Sequence, residues 1–345
     1  MKNSVYQWVH RVWYEGGRGY WILLPLSGFY WCIITLRRLL YSFALPSARD
    51  VGVPVVVIGN ITAGGTGKTP VCIWLARALS ERGFKPGIIS RGYGGSKSAS
   101  PMRVDAASDP ATVGDEPVLL AKNSGCPVAV DRNRVEAAEM LVADGVDIII
   151  SDDGLQHYKL KRDYEICVVD GARWLGNRFV LPAGPLREMA SRLLDVDQIL
   201  INGRLRDEHV CESSKEQNAI EFSLRANDVA RINGSLTRPI ERFADTTVHA
   251  VAAIGNPGRF FDMLRGHGIQ VIEHAFPDHA VIERAALKFK DDFNVLMTEK
   301  DAVKFASGLG DRYWYVPVDL EMDDSLAGPW LAQIESRMKD EQGRK

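Results

Sequence analysis

Residues 60–70 read Asn-Ile-Thr-Ala-Gly-Gly-Thr-Gly-Lys-Thr-Pro, directly behind the apolar run Val55–Ile58. Glycines so placed let successive backbone N–H groups converge on phosphate oxygens, and a following helix adds its positive end. Lys68 can then reach the β- and γ-phosphates of a nucleoside triphosphate, while the Thr69 hydroxyl can ligate Mg²⁺. The G-x-x-x-x-G-K-[ST] pattern wants glycine at position 62, where this chain has Thr62; Gly64 and Gly65 are expected to supply the freedom instead. Nucleotide contacts are therefore expected from Thr62, Ala63, Gly64, Gly65, Thr66, Gly67, Lys68 and Thr69, and Pro70 suits a first helical turn, where its missing N–H costs nothing.

A second chemical group follows at Asp147–Asp153, an apolar strand pattern ending in the paired carboxylates Asp152 and Asp153. Beside a phosphate loop, such carboxylates hold Mg²⁺ directly or through water. Gln156 and His157 put an amide and an imidazole just beyond them. Asp115 and Glu116 precede Pro117 in a short turn, where spacing alone favours a helix cap over a catalytic base. His279, after Phe276-Pro277-Asp278, is by itself an ordinary structural or surface histidine. The segment Leu181–Glu188 is a proline- and glycine-containing loop ending in Arg187 and Glu188, compatible with a phosphate contact or with a surface ion pair.

The elements that must position these groups are legible in outline. From Val53 onward, short β-rich runs (Val55–Ile58, Gly87–Ser90, Val128–Val130, Val146–Ser151, Ile166–Asp170) alternate with helical patterns such as Val71–Arg82 and Val135–Asp144, the rhythm of a parallel sheet flanked by helices. Positions 92–111 lack apolar periodicity and predict a long loop near the phosphate site. After Ile199–Asn202 the alternation breaks at a polar connection, 204–217. Strand patterns at 219–224, 230–232 and 246–253 and a return to αβ alternation through 258–318, with 280–290 as one of its segments, indicate a second domain. A cleft between the two halves is a usual place for a substrate.

Length and charge narrow the options. The 345 residues suffice for two domains and an appendage, and 42 Lys+Arg against 44 Asp+Glu give no field that would draw nucleic acid. The five cysteines are widely spaced, with no C-x-x-C pair, which argues against a disulfide framework or a zinc site and for a reducing compartment. Tyr20–Leu36 carries no charge and is flanked by Arg18 and by Arg37-Arg38. At ~1.5 Å per residue this run reaches about 25 Å, short of the ~30 Å hydrocarbon core, so spanning and lying in the interface both stay open. Trp8, Trp13 and Tyr14 around His10 and Arg11 suit a headgroup region and favour anchoring. A cleaved signal peptide would export a phosphate loop away from ATP, and a buried core helix is the soluble alternative.

Read together, these strings resemble the tetraacyldisaccharide 4′-kinases, also called lipid A 4′-kinases. The resemblance rests on the apolar N-terminus, Asn60–Pro70, Ser90-Arg91-Gly92-Tyr93-Gly94, Gly114–Pro117, Asp152–His157, Leu181–Glu188, Gly255-Asn256-Pro257 and Thr298-Glu299-Lys300-Asp301. It departs at Leu155, where the family often has Phe, and at Ala280, where many relatives carry a second histidine; neither removes a reacting group. The implied fold is α/β: a P-loop NTPase-like parallel sheet flanked by helices, with an N-terminal membrane-associated helix (1–45), a kinase domain (46–215) and a smaller C-terminal α/β domain (216–345).

The implied activity is transfer of the γ-phosphoryl group of ATP, with Mg²⁺, to the 4′-hydroxyl of tetraacyldisaccharide 1-phosphate. The product would be lipid IVA, made at the cytoplasmic face of the bacterial inner membrane, with no protein partner implied. The resemblance makes Asp115 and His279, with Lys68, the catalytic set, His279 orienting the Asp115 carboxylate or raising its basicity. It assigns the metal to Thr69, Asp152, Asp153 and Glu116. The acceptor falls to Ser90, Tyr93, Arg134, Gln156, His157, Arg187 and Glu188. On this division Asp115 and His279 lie in different domains, so their pairing is expected to need closure of one on the other. A membrane-tethered GTPase or transport ATPase is the rival from another class, though Thr298–Asp301 lacks the [NT]-K-x-D register for guanine; a soluble small-molecule kinase is the other.

Overall fold

The computed structural model describes residues 2–43, 47–93, 95, 100–205, 219–305 and 309–344. Gly94 and Cys211 lie outside the described residues, as do most positions of the polar connection 204–217. The chain forms two compact units of interleaved segments: Met1–Lys68, Val142–Ser223 and Met322–Lys345 make the first, Thr69–Leu141 and Leu224–Glu321 the second. These units do not follow the linear division at 45/46 and 215/216.

Helices α1 (Lys2–Tyr14) and α2 (Tyr20–Ser42) open the first unit, followed by β1 (Val55–Gly59) and the phosphate loop; α3 (Lys68–Glu81) then starts at the lysine. The second unit continues with β2 (Pro86–Ser90), β3 (Met102–Val104), α4 (Pro110–Val113), α5 (Asp115–Ser124), β4 (Val128–Val130) and α6 (Arg134–Ala143). The chain returns to the first unit for β5 (Ile148–Asp152), β6 (Tyr164–Asp170), β7 (Gln198–Asn202) and β8 (Ile220–Arg225). In that unit the strands run in the order β8-β7-β6-β1-β5, all parallel. Every residue of β1 and β5 is buried. That is why their sequences are continuous apolar runs, as in a parallel sheet covered on both faces. The register sets Ile58 beside Asp152, so the phosphate loop and the carboxylate pair emerge from adjacent strand ends.

In the second unit β2 pairs parallel with β4, and β4 antiparallel with β3. The expected long loop at 92–111 thus contains a strand, because Met102–Val104 reads against Val128–Val130 with Val104 turned to the core. A separate sheet joins β9 (Asp228–Arg231), β10 (Thr237–Pro239), β11 (Thr247–Ala252), β12 (Gln270–Ala275), β13 (Asn294–Thr298) and β14 (Tyr313–Val316) in the order β10-β9-β14-β13-β11-β12. Helix Pro257–Gly266 packs Phe260, Phe261 and Leu264 against Val248, Ala250, Leu296 and Trp314 of this sheet. The segment 280–290 is not a full helix. It forms one short 3₁₀ turn, Arg284–Leu287, because its core contacts Ile282, Leu287 and Phe289 do not recur at helical spacing.

Helix α2 is the only one among the described residues long and apolar enough to cross a membrane. It is docked along one side. Ser27 donates to the Val180 carbonyl (2.9 Å) and accepts from the Ala183 N–H (2.9 Å), Tyr30 donates to the Arg187 carbonyl (3.0 Å), and Arg37 donates to the Gln156 carbonyl (3.0 Å). Arg38 pairs with Asp195, and Tyr20 stacks on Phe179. The opposite side leaves Trp21, Ile22, Leu26, Phe29, Ile33, Leu36 and Leu40 exposed.

Candidate active site

In the first unit the loop after β1 is held from several directions. Asn60 is fully buried and its amide donates to the Gly64 carbonyl (3.3 Å), while Gln156 donates to the Asn60 carbonyl (3.0 Å). The loop 181–188 runs beside it: Ala63 N–H donates to the Pro185 carbonyl and Arg187 N–H to the Ile61 carbonyl, each at 2.7 Å, and Thr62 bridges Leu186 in antiparallel fashion. This explains the missing first glycine, because residue 62 is extended and bonded as in a strand, a conformation any residue adopts. The conformational freedom lies at Gly64 (φ 108°) and Gly67 (φ 94°), whereas Gly65 is not among the positive-φ positions. A side chain at Gly67 would also come within 2.5 Å of the Asn202 amide, which donates to the Thr66 carbonyl at 3.0 Å.

Helix α3 begins directly after this loop, and a helix start carries partial positive charge. Lys68 Nζ lies 3.3 Å from Asp153 Oδ1, and Arg187 reaches both Asp153 oxygens at 3.3 and 3.2 Å. Asp153 itself has φ 50°. The loop 181–188 therefore contributes a guanidinium to Asp153, an ion pair beside Lys68. Asp152 is buried at the end of β5.

Glu188 is buried, accepting from Tyr158 (2.9 Å) and facing Arg192 Nε at 3.2 Å, so its charge is used within the protein. Burial and the neighbouring Glu188 charge push the Tyr158 hydroxyl up to about 12, which keeps it a donor. Ser90 and Arg134 are also buried, in the second unit. Gln156 is engaged with the phosphate loop, and the backbone carbonyl of His157 accepts from Arg162 at 2.6 Å.

In the second unit Asp115 and His279 meet, with Nδ1 of the imidazole 3.3 Å from Oδ1 of the carboxylate. Asp115 opens α5 and is only 6% exposed; its Oδ1 also accepts from the Glu116 N–H at 2.9 Å. His279 sits at φ 57° and donates its backbone N–H to the Ala253 carbonyl, fixing the turn after β12. Both residues belong to one compact unit, so their pairing does not wait on approach of one unit to another, contrary to the sequence expectation.

Burial pushes the Asp115 carboxyl up, but the His279 hydrogen bond and the charges of Lys300, His279 and Lys304 outweigh it and hold the group down at about 2. The imidazole is raised, chiefly by its hydrogen bond to Asp115. His279 therefore lowers the basicity of Asp115 rather than raising it, which leaves orientation as the role its geometry can serve. Tyr93, 60% exposed, has its ring centroid 5.0 Å from that of His279.

Lys300, not assigned from sequence, fills the space between the acidic groups: its Nζ is 2.8 Å from Glu116 Oε1, 3.4 Å from His279 Nε2 and 3.5 Å from Asp278 Oδ1. Burial lowers its affinity for the proton, but Glu116, Asp278 and Asp115 more than reverse this, so it is a firm cation. Its neighbour Glu299 accepts from Lys122 (3.1 Å) and Asn123 (3.0 Å), joining α5 to the turn after β13. The Thr298–Asp301 string carried the signal for Lys300, but spacing alone does not say which carboxylates a lysine will meet.

A parallel sheet with a glycine loop between a strand and a helix, a lysine at the helix start and paired carboxylates on the neighbouring strand defines a P-loop nucleotide-dependent kinase. Comparison with known proteins gives the family. The sequence profile of the family described as LpxK, tetraacyldisaccharide-1-P 4′-kinase, matches residues 19–335. The tetraacyldisaccharide 4′-kinase of Nitrosococcus oceani is 44% identical over 95% of both chains, and that of Alkalilimnicola ehrlichii 48% identical over 86% of this chain and 87% of its own. A crystal structure of LpxK from Aquifex aeolicus in complex with ATP superposes with a TM-score of 0.75 at 25% identity, covering 92% of this chain and 99% of that one. The chain belongs to the tetraacyldisaccharide 4′-kinase family.

Proposed function

We propose that this chain transfers the γ-phosphoryl group of ATP to the 4′-hydroxyl of tetraacyldisaccharide 1-phosphate, producing lipid IVA and ADP. The observation that carries the assignment of roles is the pairing of the buried Asp115 with His279 in a chain that also holds a phosphate loop with Lys68 at its end. Asp115, ionised throughout the neutral range, accepts the hydroxyl proton as the acceptor oxygen bonds to phosphorus and the bond to the β-phosphate oxygen breaks. His279 fixes the direction of the carboxylate. Residues 62–69 bind the triphosphate through backbone N–H groups, and Lys68 offsets charge on the β- and γ-oxygens.

The donor set Thr69, Asp152 and Asp153 fits Mg²⁺: all are hard oxygen ligands, and Mg²⁺ beside nucleotides takes one or two protein carboxylates together with phosphate oxygens and water. Bound there, the metal would supply charge neutralisation at the phosphates. Lys68 and Arg187 at Asp153 support a site built for concentrated charge. Glu116, the further metal candidate, is occupied by Lys300. Tyr93 offers an exposed ring beside His279 for the acceptor sugar.

The exposed apolar side of α2 supports membrane attachment. A helix docked through Ser27, Tyr30, Arg37 and Arg38 and bare on its other side lies in the plane of the bilayer, apolar residues in the acyl boundary, instead of crossing it. The cytoplasmic face of the bacterial inner membrane is the location where such a surface would meet both ATP and an acylated acceptor. The test is incubation of purified protein with labelled ATP, Mg²⁺ and the disaccharide 1-phosphate in detergent: labelled lipid bearing a 4′-phosphate is expected, and its absence alongside ATP binding would refute the assignment.

A further inference from the structure

Asp115 has two oxygens, and only one is accounted for by His279 and the Glu116 N–H. The other, Oδ2, is buried and has no aligned hydrogen bond; the cation that faces it is Lys304, with Nζ 3.5 Å away. A carboxylate so enclosed requires compensation on both sides, since an uncompensated buried charge is costly.

Lys304 does more than sit nearby. Its ammonium donates to the Ala280 carbonyl at 3.2 Å, one residue beyond His279, and to Asp301 Oδ1 at 3.0 Å. Asp301 is fully buried and anchored in turn: its Oδ2 accepts from the Ala253 N–H (2.8 Å) and the Thr298 hydroxyl (2.6 Å). Ala253 is the residue whose carbonyl accepts the His279 N–H. One ammonium therefore touches the start of α5, the His279 turn and the helical turn Glu299–Ala302 after β13, the three segments whose mutual placement sets the distance between carboxylate and imidazole. Two of the three donors of this ammonium are spent on the Ala280 carbonyl and Asp301, and Asp115 Oδ2 is held by charge at 3.5 Å.

We infer that Lys304 is the positioning residue of the Asp115–His279 pair, holding the carboxylate from its second oxygen and the imidazole turn from its backbone. Lys304 lies one helical turn after Lys300 in Thr298-Glu299-Lys300-Asp301-Ala302-Val303-Lys304, and the two ammonium groups divide the work. Lys300 meets Glu116, Asp278 and the imidazole Nε2; Lys304 meets Asp115 and the Ala280 carbonyl. The inference rests on the proposed role of Asp115 in accepting the hydroxyl proton.

The test compares Lys304→Met, Lys304→Arg, Asp115→Ala and the double variant Asp115→Ala/Lys304→Met by single-turnover rate, KM for ATP and thermal unfolding. Lys304→Met is expected to slow the chemical step about 10- to 100-fold, the range for loss of a group that orients a reacting residue, with KM for ATP within about twofold of the starting protein. Lys304→Arg, which keeps a cationic donor, should recover part of the loss, and in the Asp115→Ala background Lys304→Met should cost nothing further. A starting-protein rate in Lys304→Met with a slow Asp115→Ala would overturn the positioning role alone. A multiplicative loss in the double variant would overturn it too, as would an Arg variant no better than Met at unchanged melting temperature. An unaffected Asp115→Ala would overturn the role of Asp115 and this inference with it.

Discussion

Replacing Leu26, Phe29 and Ile33 together by Gln should detach the protein from bilayers without unfolding it. The three residues recur at i, i+3 and i+7, so they form one stripe of α2, and they are 59, 68 and 48% exposed, facing away from the side that docks through Ser27 and Tyr30. Full burial of a Leu, Ile or Phe side chain is worth roughly 1.5–3 kcal/mol. With about half to two-thirds of each surface available to lipid, the stripe contributes about 3–4 kcal/mol to membrane binding, a fall of about 10²- to 10³-fold in partition coefficient when it is lost. Sedimentation with vesicles of mixed anionic and zwitterionic phospholipid measures this directly. The melting temperature and the rate on detergent-dispersed acceptor should be retained, because the docked face is untouched. Raising salt should weaken binding of the starting protein only modestly, since salt screens Arg18, Arg37 and Arg38 but not apolar burial. Undiminished partitioning of the triple variant would refute the argument, as would a loss that tracks unfolding.

Lys68→Ala and Thr69→Ala should each lower kinase turnover by about 10²–10³-fold, the scale for removing one group that stabilises transition-state charge; near-normal turnover in both would remove the phosphate-loop assignment. Asp115→Ala and His279→Ala should combine with little further loss beyond the slower single variant in single-turnover rate, nucleotide binding surviving in all three, because the two serve one task; multiplicative losses would separate their roles. Stability should also report the pair. The Asp115 carboxyl, held down at about 2 against an ordinary 3.8, stabilises the folded state above about pH 4 and loses that contribution as pH falls through about 2, whereas the raised His279 contributes below its ordinary 6.5 and loses it as pH rises through its folded value. Urea unfolding at pH 6, 4 and 3 should therefore find Asp115→Asn less stable than the starting protein by about 2 kcal/mol at pH 6, with the gap narrowing at pH 3; a gap independent of pH would show that the variant acts through packing alone.

What the sequence determined by itself is what depends on neighbours along the chain. A strand, a glycine turn and a helix start are adjacent in sequence, so their residue types place Lys68 and Thr69 after a phosphate cradle, and the apolar run at 147–151 similarly delivers Asp152 and Asp153 to a strand end. Apolar periodicity fixed the alternation of β and α elements, and the uncharged stretch at 20–36 marked α2. Tertiary structure decided everything that joins distant residues. Asp115 and His279 are 164 positions apart, each unremarkable in its own turn, and become a pair because residues 69–141 and 224–321 fold as one unit. Arg187 reaches Asp153 because loop 181–188 is hydrogen-bonded beside the phosphate loop, a pairing with no local periodic signal. Lys300 and Lys304 carry no assignment in the sequence and are drawn toward Glu116 and Asp115, since buried carboxylates demand nearby cations and only the packed fold says which ones can reach. The same holds for α2, whose composition is apolar on nearly every side: which face is covered by protein and which stays exposed was settled by the few polar groups that found partners on loop 180–188 and at Gln156 and Asp195.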